Sequence, residues 1–194
     1  MTTNEEYEGL KAEMLAWQGR RIELLQTSAA LVTAIVGLDL LLQPTLAVNW
    51  ALVSSVLLVF LACAGCLTWY AARGTSKAAA YIRIFHEVEQ NRNLRWETRL
   101  GKLKDKGVDN QDINKWLALI YLALAVISIL VPALPSSFAA PEPLTIAVLL
   151  ICAGAEIGSL VLMYGYSYPR ATYDAYWKVI KEEESRGTSE LGGG

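Results

Sequence analysis

Glu156 is the sole charged residue between Pro143 and Pro169. It lies near the middle of that run, about 13 residues from one end and 10 from the other. A charged side chain at the centre of a bilayer costs roughly 3 kcal/mol on insertion scales, so a sequence that keeps one there uses it or neutralises it. The chemistry open to such a carboxylate is proton carriage, cation binding, or compensation of a positive substrate. It could also form part of a ring of acids lining a pore between several copies. The structural alternative is a protonated carboxyl hydrogen-bonded across a helix interface to a Ser, Thr or Tyr. None of the Lys or Arg residues falls in an apolar run, so no salt bridge is available within one copy. Gly154 and Gly158 flank the acid as a Gly-x-x-x-Gly step, the spacing that lets two helix backbones approach closely.

Asp39 is the other acid in an apolar run, about three residues from the end of the first one, where it can form an acidic mouth that attracts cations or simply reach the interface. Arg92, Arg95, Arg99, Lys102 and Lys106 recur at helical spacing and form a basic stripe. Such a stripe serves topology, adhesion to anionic lipid, or an anionic ligand. Glu97 and Asp105 interrupt it, which argues against a nucleic-acid groove. Cys63 and Cys66 have thiol-redox spacing, but Ala64 and Gly65 stand between them and no charged residue is near to activate a thiolate. They read as small-residue helix packing, as does Cys152. With one histidine, His86, there is no metal set and no catalytic dyad, and no phosphate loop or nucleophile elbow occurs. The reading is of a non-enzyme that needs no metal or cofactor.

These residues are positioned by long apolar elements. Of the 194 residues, 54% are apolar and 19% charged, and uncharged runs of 33 and 26 residues span Leu40–Ala72 and Trp116–Pro141. About 20 apolar residues suffice to cross the hydrocarbon core. The sequence therefore predicts an all-α polytopic membrane protein with four transmembrane helices in two hairpins, plus amphipathic cytoplasmic helices. The spans are Leu24–Leu42, Ala47–Tyr70, Trp116–Leu134 and Pro143–Tyr166. Pro44 marks the first hairpin turn, and four prolines between Pro132 and Pro143 mark the second. All 17 Lys and Arg lie before span 1, between spans 2 and 3, or after span 4, and neither short connection carries any. By the positive-inside rule both termini and the central segment are cytoplasmic, in a bacterial inner membrane. Trp50 then sits at the outer interface and Trp69, Tyr70, Trp116, Tyr164 and Tyr166 at the inner one.

The organisation that follows is an N-terminal cytoplasmic helix over 1–23, a transmembrane hairpin over 24–72, a cytoplasmic helical segment over 73–115, a second hairpin over 116–168, and a C-terminal helix with a disordered tail over 169–194. Thr3 and Glu6 have the spacing of a capping box, and Tyr7, Leu10, Met14 and Trp17 make an apolar stripe that runs into span 1. Gly74-Thr75-Ser76 reads as a break after span 2, with Thr75 or Ser76 capping a new helix. On that helix Ala78, Tyr81, Ile82, Phe85 and Val88 share one face and Arg83, His86, Glu87 and Gln90 the opposite one. Asp109 or Asn110 caps the helix that becomes span 3, and Tyr173, Tyr176, Trp177 and Ile180 form a further stripe. Two central helices in about 42 residues are too few for a core of their own, so the three aromatic stripes are expected to pack together.

The stretch from Tyr81 to Leu100, with the N-terminal LKAEMLAWQGRRIELL, resembles a set of small, uncharacterised bacterial membrane proteins. These share an L-K-x-E helix, a hairpin, then a Y-I-R-x-x-x-E and W-E pair. The matching positions are Leu10, Lys11 and Glu13, then Tyr81, Ile82, Arg83 and Glu87, then Trp96 and Glu97. The resemblance implies a membrane fold and no particular activity. In size and layout the chain is also similar to small transmembrane effectors and sensors of bacterial antiphage systems, which often oligomerise and disturb membrane integrity.

Three functions fit these residues. The first is a homo-oligomer that forms or gates an ion pathway, with Glu156 inward and the cytoplasmic helices as sensing layer. A small proton- or cation-coupled transporter is the second, and a non-conducting scaffold that binds a cytoplasmic partner is the third. Single cysteines in residues 1–20, 76–112 and 172–190 should resist a membrane-impermeant thiol reagent applied to intact cells, and cysteines in 43–46 and 135–142 should react. Outside labelling near Arg92 would overturn the orientation.

Overall fold

The computed structural model describes residues 3–42, 49–87, 113–133, 142–165 and 170–191. Among them there is no strand. The helices are α1 (Thr3–Leu42), α2 (Trp50–Tyr81), a π-helical turn (Ile82–Glu87), α3 (Ile113–Ala133), α4 (Pro143–Tyr164) and α5 (Arg170–Leu191). Four helices are long and apolar enough to cross a membrane, over Glu5–Leu38, Trp50–His86, Ile113–Val131 and Pro143–Tyr164, which makes the chain a multi-pass membrane protein. Expectations for the turns at 43–46 and 135–141, and for caps at Asp109 or Asn110, lie outside the described residues.

The chain divides into two compact units. One, the bundle, is formed by Arg20–Tyr70 and Asp112–Tyr166. Its core is built from Val32 and Val36 of α1, Leu57, Leu58, Leu61 and Ala64 of α2, Leu117, Tyr121 and Ala125 of α3, and Cys152 and Met163 of α4. Within hydrocarbon the helices gain little from hiding apolar surface, so polar and close van der Waals contacts must fix how they pair. Between α2 and α3, Ser54 donates to the Ser128 carbonyl at 2.8 Å, and Thr68 and Tyr121 share a hydroxyl–hydroxyl bond at 3.3 Å. These two contacts make α3 run opposite to α2. Between α2 and α4 the helices come close at Gly65, where a β-carbon would stand 2.7 Å from Ser159 Oγ. Small-residue packing around Cys63–Cys66 is thus carried by Ala64 and Gly65, both buried, while the two thiols point outward.

The other unit comprises Met1–Gly19, Ala71–Gln111 and Ser167–Gly194. Here the aromatic stripes do meet, as the need for a shared core requires. Tyr81 stacks on Phe85 at 4.6 Å, and both rings meet Trp177 of α5 edge-on. Tyr7 and Met14 of α1 are buried. Arg83 pairs with Asp174, Arg73 donates to the Tyr173 hydroxyl at 3.1 Å, and Lys181 donates to the Ile84 carbonyl at 2.8 Å.

Three local expectations are corrected. The break at Gly74 does not occur, because Thr75 and Ser76 turn their hydroxyls back to the Ala71 and Ala72 carbonyls instead of capping a new helix, and Gly74 lies against the Trp17 indole. His86 is not on a polar face but buried, since the π-helical turn widens the spacing and brings it back over Tyr81, five residues earlier, with ring centroids 5.8 Å apart. The tail is helical as far as Leu191, because Gly187 alone costs the helix only about 1 kcal/mol.

Gly65→Leu should drive its side chain into Ser159 and destabilise the bundle by about 2 kcal/mol. In detergent that corresponds to a fall of roughly 5 °C in Tm. Cys66→Leu, one residue on and facing outward, should leave Tm unchanged within a degree or two.

Candidate functional site

The buried stripe of α4 consists of Cys152, Glu156, Ser159 and Met163, at spacings of four, three and four. Pro143 at the first helical position starts this helix, since its ring presets φ and the missing N–H would have no partner there. Both ends of the stripe lie against α2. Ser159 and Met163 lie against Gly65, while Cys152 shares a groove with Ser55, Val56 and Val59. The two helices therefore run in the same direction.

Glu156 is 2% exposed. Its Oε2 accepts a hydrogen bond from Ser159 Oγ at 3.1 Å, and the same hydroxyl lies 3.0 Å from the Glu156 backbone carbonyl, so one proton serves two acceptors. Oε1 is buried with no hydrogen-bond partner. The cross-helix hydrogen bond of the structural alternative is not made, because Ser159 belongs to the same helix. An unpaired buried polar atom costs about 1–3 kcal/mol. The other buried hydroxyls of the bundle avoid that cost: Ser28, Ser55 and Ser128 donate to carbonyls one turn back, and Ser54 and Thr68 bond to α3. The bundle thus satisfies its hydroxyls and leaves one carboxylate oxygen unanswered.

The seam between α2 and α4 opens on the Pro143 side of Glu156. There a groove of about 440 Å³ is lined by Leu52, Val56 and Val59 from α2 and by Leu144, Val148 and Cys152 from α4, with Ser55 and Thr145 among them. Ser55 adds little polarity, since its hydroxyl is spent on the Ala51 carbonyl at 2.6 Å. At the opposite end of the bundle Arg21 bonds to Asn114, and Lys115 lies over the Tyr164 ring at 5.5 Å.

The remaining sequence-derived candidates are distributed as follows. Gly154 and Gly158 are exposed, with nothing within 4 Å of a β-carbon at either, so they do not mediate contact between helices of this chain. Asp39 belongs to α1, but its side chain lies outside the described residues, as do Arg92, Arg95, Arg99, Lys102 and Lys106. Among the described residues no group of three His, Cys, Asp or Glu side chains could hold a metal ion. A second polar cluster lies in the other unit, where Tyr81 donates to Glu6 Oε1 at 3.0 Å and His86 Nε2 lies 3.9 Å from the same oxygen.

Reasoning from sequence missed two members of the site. Ser159, three residues after Glu156, was legible as a helical neighbour on the same face. Gly65 was seen only as part of a small-residue stretch, and its pairing with Ser159 has no signal in either segment alone. No family model, curated protein or solved structure matches the chain.

Proposed function

We propose that this protein moves or exchanges a proton or cation across the membrane, and that Glu156 is the carboxylate that carries it. The observation behind this reading is the buried Oε1 of Glu156, left without a partner in a bundle that satisfies its hydroxyls. A group kept in hydrocarbon at that cost is a functional site by default. Its enclosure by the helices of a single chain favours a site within each copy, as in a small coupled transporter, over a ring of carboxylates around an axis between copies. Ser159 holds Oε2 and leaves Oε1 to take up the ion, and Gly65 is what lets Ser159 approach α2.

Assembly into a homo-oligomer is part of the proposal, with the exposed Gly154 and Gly158 face as contact, since its bare backbone offers a close approach to a second copy. The placing of both termini in the cytoplasm rests on the 17 basic residues.

The test is proton and cation flux into liposomes holding the purified full-length protein. Glu156→Gln keeps size and hydrogen-bonding capacity, so helicity and elution volume should match wild type while flux falls at least tenfold. Ser159→Ala should lower flux less, because it alters the position of the carboxylate and leaves its charge. Equal flux from wild type and the Gln variant would remove Glu156 from the mechanism, and flux no greater than that of empty liposomes from both would leave a non-conducting scaffold.

A further inference from the structure

The α2–α4 seam is closed on one side of Glu156 and open on the other. On the closed side, Gly65 meets Ser159 and Met163 within 3.4 Å of where its β-carbon would be. On the open side, the groove ends on Cys152, one helical turn or about 6 Å along the axis from Glu156. Since the helices run in the same direction, the stretch of α2 level with Glu156 falls between Val59 and Gly65. Leu61, Ala62 and Ala64 are the buried residues there, and none has a side chain that can hydrogen-bond. Glu156 does not itself line the groove; it lies on the same buried stripe of α4, one turn beyond Cys152 at the groove's end, and no side chain of the facing stretch answers its charge.

That combination selects among occupants. A hydrated inorganic ion would gain nothing from walls of Leu and Val, and would lose its water on entering. An uncharged alkyl chain would suit the walls and leave Oε1 unanswered, while an anion would be repelled by the acid. The volume, about 440 Å³, falls within the range of about 300–1,000 Å³ typical of small-molecule sites. One ligand chemistry satisfies both ends of the seam, an apolar body of that size carrying a single diffuse positive charge. Resting on the reading of Glu156 as the working carboxylate, we infer that the α2–α4 groove binds lipophilic organic cations, with the body between Val56, Val59 and Val148 and the charge directed to Glu156. Such a ligand partitions into the bilayer and reaches the groove sideways from the lipid, through its exposed wall of Leu52, Val56 and Leu144.

The experiment is equilibrium binding of tetraphenylphosphonium to the full-length protein in nanodiscs of zwitterionic lipid, with tetraphenylborate as an anion of matched size and shape. Wild type should bind the cation saturably and the anion only as empty nanodiscs do. Glu156→Gln should weaken cation binding at least tenfold. Val148→Trp, which fills the groove from α4, and Val56→Trp, which fills it from α2, should do the same, so the result does not depend on one variant folding. Equal retention of cation and anion by wild type would overturn the inference, as would unchanged cation binding by Glu156→Gln. Proton flux that depends on Glu156, with no saturable binding of the cation, would sink the groove site and leave the transport reading standing. Saturable, Glu156-dependent binding without flux of any ion would uphold the site and end the transport reading.

Discussion

Inside hydrocarbon a polar group has no water to fall back on, and that constraint orders everything in the bundle. Hydroxyls are admitted because a helix offers them a carbonyl one turn back, as at Ser28, Ser55 and Ser128, or because an adjacent helix offers an acceptor, as Ser128 does for Ser54. Each bond of the second kind also fixes which helices pair and in which direction. Glu156 departs from this pattern. Its carboxylate has two oxygens and one helical serine within reach, and the facing stretch of α2 contributes only apolar side chains. The proposed function and the proposed ligand both follow from that single deficit.

The aromatic unit obeys a different constraint. Its segments are short and surrounded by charge, and stability there comes from rings that share their area. Tyr81, Phe85 and Trp177 form one contact group, and Arg83 with Asp174 and Lys181 with the Ile84 carbonyl tie α5 to the same segment. None of these groups is needed to explain the carboxylate. The two units answer to separate physics.

Much of this was legible in the sequence because it depends on local composition. Uncharged runs located the four long helices, and the stripes placed Tyr7, Met14 and Tyr173 in the interior, whereas Tyr176 and Ile180 of the last stripe are exposed. Glu156 announced itself by being the one acid in its run. What stayed hidden depends on pairs of distant residues or on small energy differences. Gly74-Thr75-Ser76 reads as a stop, yet hydroxyl bonds to Ala71 and Ala72 carry the helix through it. His86 reads as polar at the α-helical spacing of about 3.6 and becomes interior only in the wider π-helical turn, whose hydrogen bonds reach five residues back. The groove beside Cys152 exists because α2 and α4 part there, and no stretch of either helix encodes that separation by itself.

The π-helical turn over Ile82–Glu87 has a consequence for how this chain can change in length. In an α-helix, position along the axis and angle around it are locked together, so losing one residue rotates everything beyond by about 100°. A deletion between Ser54 and Gly65 would carry Gly65 away from Ser159 and so undo the seam. A wide turn already holds one residue more than an α-helix needs, and narrowing it absorbs a loss without turning the flanking segments. Loss of one residue within 82–87 can therefore be absorbed by the turn, whereas the same loss between Ser54 and Gly65 cannot.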